Sequence, residues 1–209
     1  YLNHTSKLSY FIYKMIPSIK TTFWHQLGLD HLKKDMLEKY VAYHIPFVIG
    51  NAPNCFDIFK KEYPLPASKL NLLPQNLTLK KVLKDKVAIR KSLNIPNEVI
   101  IIGMIAHYRL DKYFDLLFDA YLGVLRKAEV KIHLVILGNK ENDTASLNIY
   151  KNLRKRVKEN KLENSVSILS NIPVVNVLNI LDIAVLVSQI EGMPNSVMEY
   201  MAYGIPSIV

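Results

Sequence analysis

Strand-like apolar runs alternate with helical patterns through the second half of the chain. The runs are EVIIIGMIAHY, KIHLVILG, SVSIL and DIAVLVS, and polar residues bound each of them. Helical spacing covers residues 112–128, 146–160 and 174–181, and a helix capped by Asn195 is predicted up to Tyr203, ahead of a last strand, IPSIV. This alternation indicates βαβ units, which build a parallel sheet with helices on both faces. The predicted fold class is therefore α/β, with a Rossmann-like parallel sheet.

The first half of the chain is less regular. A periodic apolar segment, LSYFIYKMI, is followed by the extended KTTFW, by a polar helical pattern over residues 29–44, and by the short strand FVIG. Prolines punctuate residues 63–78 without periodicity, which indicates a linker, and TLKKVLKDKVAIRKSL is typical of a lysine-rich helix or linker. We expect three parts: residues 1–45, an interdomain segment over 46–94, and the Rossmann-like domain over 95–209.

Composition narrows the class of protein. No run of about 18 apolar residues exists, so no membrane-spanning segment is predicted. The single cysteine, Cys55, excludes an internal disulfide framework and fits a reducing cytosol, which predicts a cytoplasmic protein. Because the sequence begins with Tyr1 rather than Met, we also expect it to start inside a longer protein.

The net charge of +9 is concentrated in the first half, where residues 1–99 hold 15 Lys and Arg against 7 Asp and Glu. Such an excess suits a phosphorylated ligand, nucleic acid or an anionic membrane surface. The densest basic stretch lacks the interleaved aromatic residues of single-strand nucleic-acid binders, so nucleic acid is not a predicted partner. Peripheral contact with an anionic membrane, at its inner face, stays open, and the alternative is that the lysines are simply solvated.

Ligands of parallel α/β sheets bind beyond the carboxyl ends of the strands. Four loops lie there: residues 107–112, 138–140, 170–173 and 188–195. In the first loop, Arg109 and Lys112 are three residues apart, and a guanidinium with a nearby ammonium suits a diphosphate. The alternative is that both are surface cations, one of them paired with Asp111 or Asp115.

The last loop and the helix after it carry two glutamates, Glu191 and Glu199. Glu199 would be stabilised near a helix N-terminus, or it could accept hydrogen bonds from ribose hydroxyls, while Glu191 could do the same for a sugar. Gly192 and Pro194 would hold the loop backbone close to that ligand. The backbone N–H groups that would meet an anion belong to Asn195, Ser196 and Val197.

Several common sites have no counterpart in the sequence. It contains no G-x-G-x-x-G, P-loop or H-E-x-x-H motif, no clustered Cys and His, and no two aspartates separated by one residue. We therefore predict no metal and no cofactor, and cationic side chains must neutralise any bound diphosphate.

These motifs together resemble the nucleotide-sugar domain of the retaining GT-B glycosyltransferases of group 1, or family 4. The strongest likeness is the E-x7-E signature from Glu191 to Glu199, within S-x-x-E-G-x-P-N-x-x-x-E-x-M-A-x-G-x-P. The loop A-x-x-R-x-x-K-x-x-D is similar to the diphosphate-binding loop of the family. FVIGNAPNCFDIF resembles its interdomain segment, except that Cys55 stands where the family has glycine.

The resemblance implies that the donor is a nucleoside-diphosphate sugar and that no metal is obligatory. It gives Arg109, Lys112 and Glu191 the catalytic roles and assigns the ribose hydroxyls to Glu199. The implied contacts with the donor are Arg109, Lys112, Glu191, Gly192, Met193, Pro194, Asn195, Ser196, Val197 and Glu199. Residues 170–173 would lie beside the base. A glycan or lipid-linked acceptor, in polysaccharide biosynthesis, is the implied second substrate.

The resemblance also implies that the chain is a fragment. Residues 1–45 match only the tail of an N-terminal acceptor-binding domain, and the second domain is expected to continue past Val209, so little transfer is expected of this chain by itself. Three alternatives stay open: a GT-B-type nucleotide-sugar epimerase, a non-catalytic basic binding fragment, and a pseudo-glycosyltransferase or fragment with a scaffold role only.

Overall fold

The computed structural model describes residues 2–27, 32–76, 81–139, 143–189 and 191–209. Contacts along the chain divide it into two units. The first unit comprises Tyr1–Asn76 with Ile190–Pro194, and the second comprises Leu77–Gln189 with Asn195–Val209.

A three-stranded parallel sheet forms the centre of the first unit. Its elements are α1 (Leu2–Met15), β1 (Phe23–Gln26), α2 (Met36–His44), β2 (Phe47–Gly50), α3 (Pro53–Glu62), a 3-10 turn (Ala67–Lys69) and β3 (Leu70–Leu72). The strands pair in the order β1-β2-β3. Trp24 and Val48 from the sheet are fully buried with Val41 of α2 and Phe59 of α3, so one apolar core holds this unit together.

The first unit departs from the sequence pattern in three places. Helix α2 begins at Met36 rather than Leu29, because Lys34 has a left-handed backbone and Asp35 accepts a hydrogen bond from the N–H of Glu38 as N-cap. Residues 29–31 of that predicted helix lie outside the described residues. Helix α3, which the pattern did not indicate, begins at Pro53, since proline suits a first helical position. The predicted linker over 63–78 contains β3, which pairs with β2.

A five-stranded parallel sheet forms the second unit, with strand order β6-β5-β4-β7-β8. Its strands are β4 (Ile100–Ile105), β5 (Ile132–Leu137), β6 (Val166–Leu169), β7 (Ile183–Val185) and β8 (Ser207–Ile208). Its helices are α4 (Lys86–Ser92), α5 (Phe114–Leu125), α6 (Thr144–Glu159), α7 (Val174–Ile180) and α8 (Asn195–Tyr203). The predicted α/β class with parallel sheets is confirmed.

Helices cover both faces of the second sheet. Successive residues of a strand point to opposite faces, so Ile101 of β4 packs with α4, α7 and α8, whereas Met104, three residues later, packs with α5 and α6. Both side chains are fully buried. Every residue of β5 is buried, which is why its sequence is a nearly continuous apolar run rather than an alternating one.

The described part of the lysine-rich stretch is tied to α7 and α8. Asn179 accepts from the N–H of Lys84 at 3.0 Å and donates to the carbonyl of Val82 at 2.9 Å. The amine of Lys84 donates to Asn176 at 2.7 Å, and that of Lys81 donates to the carbonyl of Tyr203 at 3.2 Å. Lys80 lies outside the described residues. The predicted interdomain segment thus supplies β2, α3 and β3 to the first unit and α4 to the second, and the three-part division stays a prediction.

Candidate functional site

The loops after β4 and β7 meet at the carboxyl edge of the second sheet. The carbonyl oxygen of Asp111 accepts two hydrogen bonds from the loop after β7, from the N–H of Gln189 at 3.1 Å and from Oγ of Ser188 at 3.2 Å. These bonds fix the position of the first predicted site loop against the start of the last one.

Arg109 and Lys112 lie on either side of the Asp111 carboxylate. Nε of Arg109 donates to Oδ1 of Asp111 at 3.0 Å, and Nζ of Lys112 lies 3.8 Å from Oδ2. Lys112 also donates to Oγ of Ser188 at 3.2 Å. The side chain of Lys112 is 13% exposed and that of Arg109 is 41% exposed. The two predicted cations are therefore brought together, one of them accessible to a ligand.

The sequence left two interpretations of these cations, a diphosphate site and a pair of surface cations, and the structure bears on the second. Arg109 does pair with Asp111, as the surface-cation alternative held, but Asp115 pairs with Arg156 of α6 instead. The pairing with Asp111 uses Nε, and within the described parts of the chain the two terminal nitrogens of the guanidinium make no hydrogen bond. A fork of this kind is the group that binds two oxygens of a phosphate.

Helix α8 is anchored to the end of β4. The hydroxyl of Tyr200, which is fully buried, accepts a hydrogen bond from the N–H of Ile105 at 2.7 Å. Burial raises the pKa of Tyr200 to about 12, so the hydroxyl stays neutral. Gly204 ends the helix with a φ of 71°, a left-handed conformation that glycine adopts at little cost. Helix α8 is thus held to the sheet through Tyr200 and closed at its C-terminus by Gly204.

The helix begins at Asn195, so Asn195 is its first residue rather than the predicted cap. A first helical turn presents N–H groups that lack an intrahelical acceptor, and Ser196 and Val197 contribute two of them. Glu199 is the fifth residue of the helix and is half-buried. Glu199 therefore lies beyond the first turn, where the helix dipole acts most strongly, and its predicted contact with a ribose stays a prediction. Burial raises the pKa of the Glu199 carboxyl.

Glu191 belongs to the segment that groups with the first unit. Its carbonyl accepts a hydrogen bond from the side-chain amide of Asn54, at the start of α3, at 2.6 Å. Glu191, Gly192, Met193 and Pro194 are all half-buried. The predicted contacts of these four residues with a ligand stay predictions.

The outer loops of the same edge are closely packed. A Cβ added at Gly138 would overlap the carbonyl oxygen of Ala106 and lie 3.0 Å from the ring of Tyr108, so only glycine fits there. The hydroxyl of Tyr108 donates to the carbonyl of Leu169 at 2.7 Å, and burial raises the pKa of Tyr108. Asn171, within residues 170–173, has a φ of 60°. Lys140 of the second predicted loop lies outside the described residues, and His107 is exposed.

Among the described residues, no group of three or more His, Cys, Asp and Glu is arranged to hold a metal ion. A search of the same residues finds no helix long and apolar enough to cross a membrane.

A family model described as "Glycosyl transferases group 1" matches residues 85–209, more than half of the chain. The chain belongs to the group 1 glycosyl transferases. The match contains every predicted donor contact in the second unit and the Glu191–Pro194 segment, which agrees with the resemblance seen in the sequence.

Three solved structures illustrate the proteins that share this fold. HepE from Anabaena, in complex with UDP, superposes with a TM-score of 0.81 at 14% identity, over 98% of this chain and 57% of that one. A glycosyltransferase from Rickettsia africae gives 0.67 at 17% identity, over 99% and 61%. Sucrose-phosphate synthase from Thermosynechococcus elongatus gives 0.67 at 18% identity, over 88% and 48%.

At these identities the superpositions show the fold alone. The chain spans roughly half to three fifths of the length of these three structures, between 48% and 61%. A comparison with curated proteins finds no match.

Sequence reasoning missed two residues that support the site. Asp111 was considered only as a surface partner of a cation, yet its side chain and its carbonyl both organise the loop. Tyr200 was not singled out from the sequence, although its hydroxyl anchors α8. A tyrosine on the buried face of a helix needs a hydrogen-bond partner, and that requirement was the available signal.

Proposed function

We propose that this chain binds a nucleoside-diphosphate sugar and belongs to an enzyme that transfers the sugar to an acceptor with retention of configuration. The proposal rests on one observation: Arg109 and Lys112 both contact the carboxylate of Asp111. They lie at the carboxyl edge of a parallel sheet, within the residues that the family model matches. Two cations held at such an edge suit the diphosphate of a donor.

Each proposed contact has a separate chemical task. The terminal nitrogens of Arg109 and the ammonium of Lys112 bind the diphosphate, with help from the backbone of Asn195, Ser196 and Val197. Glu199 accepts hydrogen bonds from the ribose hydroxyls. Glu191 accepts them from the sugar, and Gly192, Met193 and Pro194 line the same turn.

In the proposed reaction the anomeric carbon exchanges its bond to the diphosphate for a bond to an acceptor hydroxyl oxygen, on the same face of the sugar. The nucleoside diphosphate leaves with the bonding electrons, and the hydroxyl proton is released. Arg109 and Lys112 stabilise the charge that develops on the leaving diphosphate, which places cations where other enzymes use a metal. The acceptor is a glycan or a lipid-linked precursor.

UDP is the first nucleotide to test, because HepE, a structure of the same fold, is in complex with it. Isothermal calorimetry with UDP, GDP and ADP would measure binding by the wild-type chain and by the Arg109→Ala/Lys112→Ala double variant. We expect one nucleotide to bind and the double variant to lose at least about a hundredfold in affinity, since each charge-assisted contact contributes about 1.5–3 kcal/mol.

A matched control exists at the far end of α5. Arg126 and Lys127 are exposed and adjacent, so Arg126→Ala/Lys127→Ala removes the same two charges without touching the loop after β4. Equal nucleotide affinity in all three proteins would overturn the assignment.

The need for an acceptor distinguishes sugar transfer from epimerisation. An extended protein that includes this chain, given donor alone, should leave the sugar configuration unchanged, and product should form only when an acceptor is added. Conversion of the sugar without any acceptor would show an epimerase instead.

A further inference from the structure

We propose that Asp111 limits how tightly the cation pair holds a diphosphate, and so favours release of the nucleoside diphosphate over the intact donor. The inference rests on the proposed function, because it assumes that the diphosphate binds at Arg109 and Lys112. It adds a residue that sets the charge of the site rather than one that touches the sugar.

The carboxylate is held between the two cations. Oδ1 of Asp111 accepts from Nε of Arg109 at 3.0 Å, and Oδ2 lies 3.8 Å from Nζ of Lys112. Oδ2 is buried and accepts no hydrogen bond from any described residue, and the ammonium of Lys112 lies within ion-pair distance of it. The three side chains together carry one positive charge rather than two.

The charge of Asp111 can be removed with little change in geometry. Its backbone carbonyl, not its carboxylate, joins the loops after β4 and β7 through Ser188 and Gln189. Lys112 also donates to Oγ of Ser188 at 3.2 Å, a contact that does not involve the carboxylate. An asparagine retains an oxygen that can accept from Nε of Arg109. Asp111→Asn therefore isolates the effect of charge.

Donor and product differ in charge. A nucleoside-diphosphate sugar has no terminal phosphate monoester, whereas the free nucleoside diphosphate has one that loses a second proton near neutral pH. A fixed carboxylate beside the phosphate site repels the more charged product more strongly. Because slow product release limits many enzymes, this repulsion would assist turnover.

The test is to titrate UDP and UDP-glucose into the wild-type chain and into Asp111→Asn, in buffer of low ionic strength. We expect Asp111→Asn to bind UDP about three- to tenfold more tightly than the wild type does. Its affinity for UDP-glucose should also rise, but by a factor about two- to threefold smaller. Added salt should reduce both gains. Asp111→Glu, which keeps the charge, should bind UDP no more tightly than the wild type.

Glu98→Gln provides the control, because Glu98 is exposed ahead of β4 at the opposite edge of the sheet and its loss changes the net charge equally. If Asp111→Asn binds UDP with equal or lower affinity, or gains equally for both ligands, Asp111 does not set the charge of the site. If Arg109→Ala/Lys112→Ala binds UDP as the wild type does, the proposed function itself fails, whatever the result at Asp111.

Discussion

Glu199 is the proposed donor contact whose ionisation the fold perturbs most clearly. The carboxyl is half-buried in the second turn of α8, and burial raises its pKa above the ordinary value of 4.5. A raised folded-state pKa means that the protonated form stabilises the protein below the unfolded-state pKa, and that this stabilisation is lost as pH rises through the folded-state pKa. At neutral pH the ionised carboxylate therefore costs stability, which suits a group retained for binding.

Glu199→Gln should consequently be more stable than the wild type at pH 7, and the difference in Tm should shrink as pH falls through the raised folded-state pKa and be small at pH 4, below the ordinary value of 4.5. The same variant should bind UDP about tenfold more weakly, because a charge-assisted hydrogen bond to ribose is lost. Thermal unfolding at pH 4 and pH 7, with calorimetry at pH 7, measures both effects. Glu163→Gln, at an exposed turn, should show neither. Unchanged stability together with unchanged affinity would contradict both the burial argument and the ribose contact.

Gly138 and Gly123 form a matched pair of glycines with opposite surroundings. A Cβ at Gly138 would overlap the carbonyl of Ala106, whereas one at Gly123, inside α5, meets no atom within 4 Å. Gly138→Ala should lower the free energy of unfolding by about 1–3 kcal/mol and displace Tyr108. Gly123→Ala should raise it by about 0.5–1 kcal/mol, since alanine favours a helix. Urea unfolding compares the two, and a stable Gly138→Ala variant would show that the loop after β5 is less tightly packed than described.

At the scale of elements, Arg90 connects α4 to the amino ends of β4 and β7. Its side chain is 10% exposed, and Nη1 donates to the carbonyls of Pro96, Asn97 and Val99 at 2.8–3.2 Å. Nη2 donates to Oδ2 of Asp182 at 3.1 Å, and that oxygen also accepts from the N–H of Ile101 at 2.8 Å. One guanidinium therefore provides hydrogen-bond donors for the carbonyl groups of the turn that leads into β4.

Arg90→Ala should lower the free energy of unfolding by about 3 kcal/mol or more, because three carbonyl groups and a carboxylate lose their donor. Arg90→Lys should recover little of this loss, as an ammonium cannot span the fork. Lys91→Ala, at the exposed neighbouring position, is the control. Chemical denaturation measures all three, and a loss below about 1 kcal/mol for Arg90→Ala would contradict the role given to this network.

The elements of the second unit were predictable because burial leaves a direct mark on sequence. Strands such as β5 are buried on both faces and read as continuous apolar runs, and α5 shows its inward face through Phe114, Leu117, Phe118 and Tyr121. In the first unit, β3 has three residues and little burial, so its pairing with β2 depends on contacts that no local pattern records. Helix α3 was missed because Pro53 was read as a break instead of a first helical residue.

The two cations of the site could be predicted from the sequence, whereas the hydrogen bonds that position their loop could not. Arg109 and Lys112 follow a recognisable strand, so the rule for parallel sheets located them. The bonds from Ser188 and Gln189 to Asp111 join positions more than 75 residues apart. Such bonds depend on the order of strands in the sheet, which hydrophobic spacing does not specify.

For the whole molecule, the net charge of +9 predicts weak binding to any polyanion. Several cations of the lysine-rich stretch are already engaged: Lys81 with Tyr203, Lys84 with Asn176, and Arg90 with Asp182. Binding to duplex DNA should therefore be non-specific, falling by about two orders of magnitude between roughly 50 and 200 mM salt, while UDP affinity falls less than about tenfold. Fluorescence anisotropy measures the first and calorimetry the second. Tight DNA binding at the higher salt would favour the basic binding fragment.

The most direct test of the central claim is a crystal structure of the chain with UDP. We expect the diphosphate to contact Arg109 and Lys112, with the ribose hydroxyls at Glu199 and the phosphate near the first turn of α8. A nucleotide bound elsewhere in the chain, or a diphosphate without contact to either cation, would contradict the account.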